Sequence, residues 1–166
     1  MRTTSKACLV ASGLILSAVL LPRISRAQDD AKHQHHGDMT SRGDSAMGFD
    51  AAKTTHHFLQ TSSGGTIQVA ANDPADTASR DAIQHHLQHI AQHFKEGDFD
   101  IPMFVHDQMP PGVPVMKRLK AEISYQYVAM DHGGRVEIST KNPEALAAIH
   151  DFLRFQIQEH HTGDKQ

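Results

Sequence analysis

The sequence predicts an α+β fold, a tandem ββα repeat that forms a four-stranded antiparallel sheet with two helices on one face. The first observation behind this prediction is an internal duplication. Residues 64–74 and residues 133–143 both begin with a Gly-Gly pair, alternate apolar with polar side chains and end in Asp-Pro or Asn-Pro. The second is an amphipathic helical pattern after each segment. Because an isolated hairpin cannot bury its apolar face, we expect the two units to share one core.

Each half of the duplication follows the order strand, turn, strand, helix. First strands are predicted at about residues 54–61 and 121–130, where apolar side chains recur at every second position. We expect hairpin turns at Ser62-Ser63-Gly64-Gly65 and at Asp131-His132-Gly133-Gly134, because glycine adopts positive φ without a steric penalty. Asp73 and Asn142 are predicted helix N-caps, since each short polar side chain is followed by a proline at the first helical position.

The two predicted helices each carry one apolar stripe and end at a glycine, Gly97 or Gly163. The stripes consist of Ile83, Leu87, Ile90 and Phe94 in the first helix and of Leu146, Ile149, Leu153 and Ile157 in the second. Four prolines lie in the connection between the halves, where the spacing of Val115, Met116 and Leu119 predicts a short helix.

Composition divides the chain into three parts. They are a predicted signal peptide at 1–27, a histidine-rich tail at 28–47 and a single α+β domain at 48–164. The tail has almost no large apolar residue with which to bury a core, so we expect it to be disordered. The domain comprises the first ββα unit at 48–98, the proline-rich connection at 99–120 and the second ββα unit at 121–164.

The first 27 residues have the pattern of a secretory signal peptide. A positive start precedes an apolar run, and small residues, Ser25 and Ala27, stand at the −3 and −1 positions of a cleavage site before Gln28. The run is shorter than the roughly 20 apolar residues of a membrane span, so we expect a periplasmic or secreted protein without a stable membrane anchor. Cys8, the single cysteine, falls in this segment, which excludes disulfides and thiolate chemistry in the mature chain.

The mature chain is acidic and rich in histidine. Residues 28–166 contain 12 basic side chains, 19 acidic side chains and all 14 histidines, a formal charge of −7 when the histidines are neutral. Nucleic-acid binding needs clustered positive charge, so no nucleic-acid partner is expected. The sequence is compatible with a homodimer.

Histidines in three places are candidate metal ligands, because neutral imidazole suits copper, zinc and nickel. They are His33, His35 and His36 in the tail, His86, His89 and His93 in the first long helix, and His106 in the connection. The helix trio has i, i+3 and i, i+4 spacing, and we expect all three side chains to project on one side. The alternative is a packing role, because His86 and His89 align with Phe152 and Phe155 of the second helix.

Five runs of the chain resemble a group of small secreted bacterial proteins of unknown function, with similarity from about Gly48 to Asp164. The runs are Gly48-Phe49-Asp50, Lys53-Thr54-Thr55-His56-His57-Phe58, Ala71-Asn72-Asp73-Pro74, Pro110-Pro111-Gly112 and Phe152-Leu153-Arg154-Phe155-Gln156-Ile157. Some members carry the label aspartate carbamoyltransferase. This chain is far shorter than the catalytic chain of that enzyme, lacks its Ser-x-Arg-Thr phosphate-binding loop and is predicted to be exported away from carbamoyl phosphate. The resemblance therefore implies no catalytic residues.

Three functions follow as hypotheses. The first is a metal-handling protein for copper, zinc or nickel, in which histidines of several elements would converge within ligand distance. The second is a module that binds a small molecule or a protein without metal, either on the sheet face away from the helices or in a pocket lined by residues 99–120. The third is an enzyme of unrecognised type using His56, His106 or the helix histidines, although no hydrolase, P-loop or dinucleotide-binding motif is present. The sequence favours a protein that is not an enzyme.

Overall fold

The computed structural model describes Met39 and residues 41–166. The predicted fold class is confirmed: the domain is α+β, with an open four-stranded antiparallel sheet and five helices in this part of the chain. The strands are β1 (Thr54–Thr61), β2 (Gly64–Ala71), β3 (Ile123–Met130) and β4 (Gly133–Thr140). The helices are α1 (41–47), α2 (Thr77–Glu96), α3 (Asp100–His106), α4 (Val113–Arg118) and α5 (Pro143–Glu159).

The sheet has the strand order β1-β2-β4-β3, so the two hairpins join through their second strands. Ile67 of β2 faces Val136 of β4 at the centre of this pairing, and the two residues occupy equivalent positions in the duplication. The pseudo-twofold axis that relates the two halves therefore passes close to this residue pair. Gly64 pairs with Ser139 and Ala70 pairs with Gly133, so the register is continuous along both strands.

The two long helices lie on the same face of the sheet and cross onto opposite halves. α2 packs mainly on β3 and β4, whereas α5 packs mainly on β1 and β2. The rings of Phe94 in α2 and Phe152 in α5 meet edge to face, with centroids 5.8 Å apart. Each ββα unit therefore completes its core with the helix of the other unit, so that neither half can bury its apolar face alone.

The hairpin turns predicted at residues 62–65 and 131–134 are correct for their first two residues and wrong for the Gly-Gly pairs. The turns are the two-residue pairs at 62–63 and 131–132, and the glycines begin β2 and β4. Close approach explains them: a Cβ on Gly65 would lie 2.2 Å from Leu153 Cδ1, and a Cβ on Gly134 would lie 3.3 Å from the equivalent Leu87 Cδ1. The missing side chains let each helix settle on the opposite hairpin.

Helix ends match the predictions in part. Asn142 caps α5 as predicted, with its side chain accepting from Glu144 N and Ala145 N, and Gly97 ends α2 in the left-handed conformation. The N-cap of α2 is Asp76, not Asp73, because the first half has three additional residues after its proline. α5 ends at Glu159 with His160 as its C-cap, before Gly163 is reached.

The connection between the halves is more ordered than its prolines suggested. The predicted short helix is α4, and a further helix, α3, contains Pro102 in its first turn, where the missing N–H costs no helical hydrogen bond. Residues 41–47, which the sequence analysis placed in the disordered tail, are helical. Met39 is buried and Met47 packs against the core, which gives this segment an apolar anchor.

Candidate functional site

A cavity of about 70 Å³ lies between the first hairpin, α2, α3 and α5. Its walls are mainly apolar, because these elements turn their stripe residues towards one another. The principal wall residues are Phe58, Val69, Leu87, Ile90, Val105 and Phe152. Residues of α3 close one side, so the proline-rich connection contributes directly to the cavity. A water molecule needs about 10–15 Å³ of such space, so the cavity holds several waters or part of a small organic molecule.

Four histidines from four different parts of the fold reach this cavity. They are His56 of β1, His86 of α2, His106 of α3 and His160, which follows α5. The rings of His56 and His160 stack with centroids 5.7 Å apart, and His160 meets His106 edge to face at 5.1 Å. His86, the fourth histidine, contacts the others through Phe49. The ring of Phe49 stacks on that of His56, with centroids 6.2 Å apart, and meets that of His86 edge to face at 5.7 Å.

Burial keeps two of these imidazoles uncharged. Desolvation, assisted by the neighbouring His57, lowers the pKa of His56 from 6.5 to about 4. Desolvation also lowers the pKa of His86 to about 4, with smaller effects from His56, His89 and His85. Near neutral pH each ring therefore offers one hydrogen-bond donor and one acceptor instead of a positive charge.

A buried amide faces the same space. Gln156, on the apolar stripe of α5, is only 4% exposed, and its Oε1 lies 3.0 Å from Nε2 of His106. Because a carbonyl oxygen accepts, the His106 Nε2–H donates in this contact. Gln156 Nε2 and His56 Nε2 are both buried without a hydrogen-bond partner among the described residues. Buried polar groups are nearly always satisfied, so these two atoms indicate a site for a further molecule.

A second space of about 420 Å³ adjoins the cavity beneath α1. Met47, His56, Val105 and His160 line both spaces, so they form the passage between them. Arg42 of α1 donates from its Nε to the carbonyl oxygen of Val105 at 3.0 Å, which ties α1 to α3 across this passage. α1 therefore covers the route between the larger space and the cavity.

The structure does not bring the predicted histidine trio of α2 together. His86 turns inward to the cavity, whereas His89 is exposed and lies beside His85, with ring centroids 4.2 Å apart. The phase of the helix explains this separation. Leu87 and Ile90 define the buried face of α2, and the boundary of that face runs between His86, which is inside it, and His89, which is outside it. His93 lies 6.4 Å from His89 between ring centroids, and its Nδ1 is 2.7 Å from Asp98 Oδ2.

No group of three or more histidine, aspartate, glutamate or cysteine side chains is placed to hold a metal ion in residues 41–166. His106 is buried among aromatic rings and contacts Gln156. The tail histidines, His33, His35 and His36, lie outside the described residues, as do the predicted signal peptide and its cleavage site.

A second histidine–carboxylate contact, beside that of His93, lies away from the cavity near the C-terminal residues. His57 Nδ1 lies 2.8 Å from Asp164 Oδ1, and the backbone N–H of Phe58 donates to the other oxygen. Burial opposes ionisation of Asp164, but hydrogen bonds from Thr162, Phe58 and His57 outweigh it and lower the pKa of this carboxyl group. The contact therefore holds the C-terminal residues against β1.

Sequence reasoning missed Gln156 as a site residue. The signal was available, because Gln156 is the polar member of a stripe whose neighbours Leu153 and Ile157 are buried and apolar. His160 was not among the candidate residues of the sequence analysis. Its place in the cavity depends on α5 crossing to the opposite hairpin, which no local pattern reveals.

Searches of protein families, of curated proteins and of solved structures find no match to this chain. Within the described part of the chain, no helix has the length and apolar character needed to cross a membrane.

Proposed function

We propose that this protein is a binding module that holds a small, largely apolar molecule in the imidazole-lined cavity. One observation carries the proposal: apolar walls from the hairpin and three helices surround a few polar atoms, of which His56 Nε2 and Gln156 Nε2 have no partner in the described residues. Apolar concavities with a few convergent polar groups are typical of small-molecule sites. Histidines whose pKa is strongly lowered by burial also concentrate at functional sites.

The geometry favours binding over catalysis. An enzyme acting through a histidine needs a base or acid within hydrogen-bond reach of its substrate and of an orienting carboxylate. His106 directs both ring nitrogens at protein groups: its Nδ1 lies 3.9 Å from Glu159 Oε2 and its Nε2 lies 3.0 Å from Gln156 Oε1, so the ring is held in place by the protein. The closer histidine–carboxylate pairs, at His57 and His93, lie away from the cavity.

The two spaces set the size of the ligand. The inner cavity of about 70 Å³ fits part of a ring and its substituent, and the outer space of about 420 Å³ accommodates the remainder. The signal-like first 27 residues support binding in the periplasm or outside the cell.

The test is titration calorimetry with p-xylene and p-cresol as probes. Val105→Phe fills the passage between the two spaces and should weaken binding at least tenfold. Leu59→Phe is the matched control, because Leu59 is 41% exposed on the sheet and lies outside both spaces. Absence of heat with both probes, or equal binding by Val105→Phe and wild type, would contradict the proposal.

A second candidate function is weak metal binding at an exposed pair on α2. The rings of His85 and His89 lie 4.2 Å apart at i, i+4 spacing, which allows two imidazoles to ligate one Cu(II), Zn(II) or Ni(II) ion. In this site His85, together with His89, takes the place of His86, which was a candidate ligand from the sequence but faces the cavity. Solvent would complete the coordination shell, and His93 is held by Asp98 at the end of the helix.

A further inference from the structure

The orientation of the Gln156 amide limits what the cavity can bind. This inference rests on the proposed function and concerns the chemical class of its ligand. Gln156 Oε1 is taken by the His106 Nε2–H, so the amide turns its nitrogen and both N–H donors elsewhere. That nitrogen is buried in a residue that is 4% exposed and has no partner among the described residues. The ligand must therefore present an acceptor to it.

His56 supplies the second polar contact. Its ring is fixed by stacking on three neighbours, with centroids 6.2 Å from Phe49, 6.5 Å from Phe58 and 5.7 Å from His160. Its Nε2 is buried without a partner in the described part of the chain. An uncharged imidazole nitrogen either donates or accepts, depending on the tautomer, so its partner should be able to do both.

The lining of the inner cavity supplies no counter-charge for an anion. The guanidinium of Arg42 lies at the passage, where its Nε donates to the carbonyl oxygen of Val105 and its buried Nη2 has no hydrogen-bond partner among the described residues. None of the described residues that line the cavity is a lysine or an arginine, and its titratable members are the four histidines already named. Burying a carboxylate there would require protonation of an imidazole that burial keeps neutral, which is costly. An uncharged group is the better match.

We propose that the ligand is an alcohol or a phenol whose hydroxyl accepts a hydrogen bond from Gln156 Nε2 and shares a second one with His56 Nε2. A hydroxyl is both donor and acceptor, so it satisfies either tautomer of His56. A ketone would satisfy only the tautomer in which Nε2 carries the proton. The apolar remainder of the ligand lies against Val69, Ile90 and Val105 and extends into the outer space.

The experiment compares probes of the same shape. p-Cresol and p-xylene differ by a hydroxyl in place of a methyl group, and p-toluate adds a charge. By titration calorimetry at pH 7, the wild-type protein should bind p-cresol at least tenfold more tightly than p-xylene and should not bind p-toluate measurably. Two variants remove the polar contacts. His56→Phe keeps a stacking ring without Nε2, and Gln156→Met keeps the length of the side chain without its donors.

Each variant should reduce the preference for p-cresol over p-xylene to below about threefold, whereas Leu59→Phe, outside both spaces, should keep the wild-type preference. Equal binding of p-cresol and p-xylene by wild type would overturn the hydroxyl assignment and leave the proposed function standing. Failure of both probes would instead remove the proposed function. If a variant does not fold, the imidazole ¹⁵N signals of His56 decide in the wild-type protein. They should shift with p-cresol and not with p-xylene, and the same shift with both probes would overturn the assignment.

Discussion

Nε2 of His106 lies 3.0 Å from Oε1 of Gln156, and this contact joins α3 of the proline-rich connection to α5 of the second repeat. Both side chains are almost fully buried, at 1% and 4% exposure. The contact fixes which way the Gln156 amide turns, so it orients the donors that face the cavity. It also shows that the connection belongs to the site, because α3 supplies His106 to this contact.

The buried imidazoles predict a loss of stability in mild acid. The folded-state pKa of His56 and of His86 is about 4, below the ordinary value of 6.5, so the unfolded chain binds protons that the folded chain does not. The stabilisation is complete above pH 6.5 and is lost as the pH falls towards 4, at about 1.4 kcal/mol per pH unit for each imidazole.

Urea unfolding at several pH values between 7 and 4.5 measures this effect. His86→Phe should reduce the slope by about one imidazole's share. His132→Phe, on the exposed turn between β3 and β4, is the matched surface control. The three proteins contain the same carboxyl groups, so differences between their slopes report on the substituted histidines. Parallel curves for wild type and His86→Phe would show that His86 is not buried as described.

The close approach of helices to glycines predicts unequal costs at equivalent positions. A Cβ on Gly65 would lie 2.2 Å from Leu153 Cδ1 and 2.5 Å from the backbone oxygen of Leu59, which cannot move without distorting the hairpin. A Cβ on Gly134 would lie 2.9 Å from Tyr127 Cε2, a side-chain atom that can shift. Gly65→Ala should therefore lower the free energy of unfolding by about 2 kcal/mol or more, and Gly134→Ala by about 1 kcal/mol. Denaturant titration of both variants tests the order, and a reversed order would refute this packing argument.

The exposed pair on α2 predicts a metal site that is independent of the tail. Cu(II) titration of the protein lacking residues 28–38 should show weak binding that His85→Ala or His89→Ala abolishes. His86→Ala should leave it intact, because His86 faces the cavity. Binding should weaken below about pH 6.5, since protonated imidazole cannot be a ligand. Binding that survives loss of both His85 and His89 would exclude this pair.

The elements that could be predicted from the sequence are those set by local patterns. The alternation around Phe58 and Tyr125 and the stripe through Leu87 and Leu153 place the strands and long helices close to where the structure has them. The crossing of each helix onto the opposite hairpin could not be predicted, because it depends on contacts between residues far apart in the chain. The role of Gly65 follows from that crossing and was therefore misassigned to a turn.

The candidate site shows the same division. The sequence analysis singled out His86 and His106, which line the cavity, but it did so as candidate metal ligands. It expected the partners of His86 to be its neighbours in sequence. The structure pairs His86 with Phe49 and brings His56 and His160 together from distant parts of the chain. His85 and His86 are adjacent in sequence, yet His85 is exposed and His86 lines the cavity. The spacing of histidines along the sequence does not show which of two consecutive histidines faces the solvent.

The most direct measurement is an isotope-filtered NMR experiment on the protein saturated with p-cresol. Nuclear Overhauser contacts should appear between the ring protons of the probe and the methyl groups of Val69, Ile90 and Val105, which line the cavity. The exposed methyl groups of Leu59 should show none. Contacts confined to Leu59 and other surface methyl groups, or no contacts at saturating probe, would contradict the assignment of this cavity as the binding site.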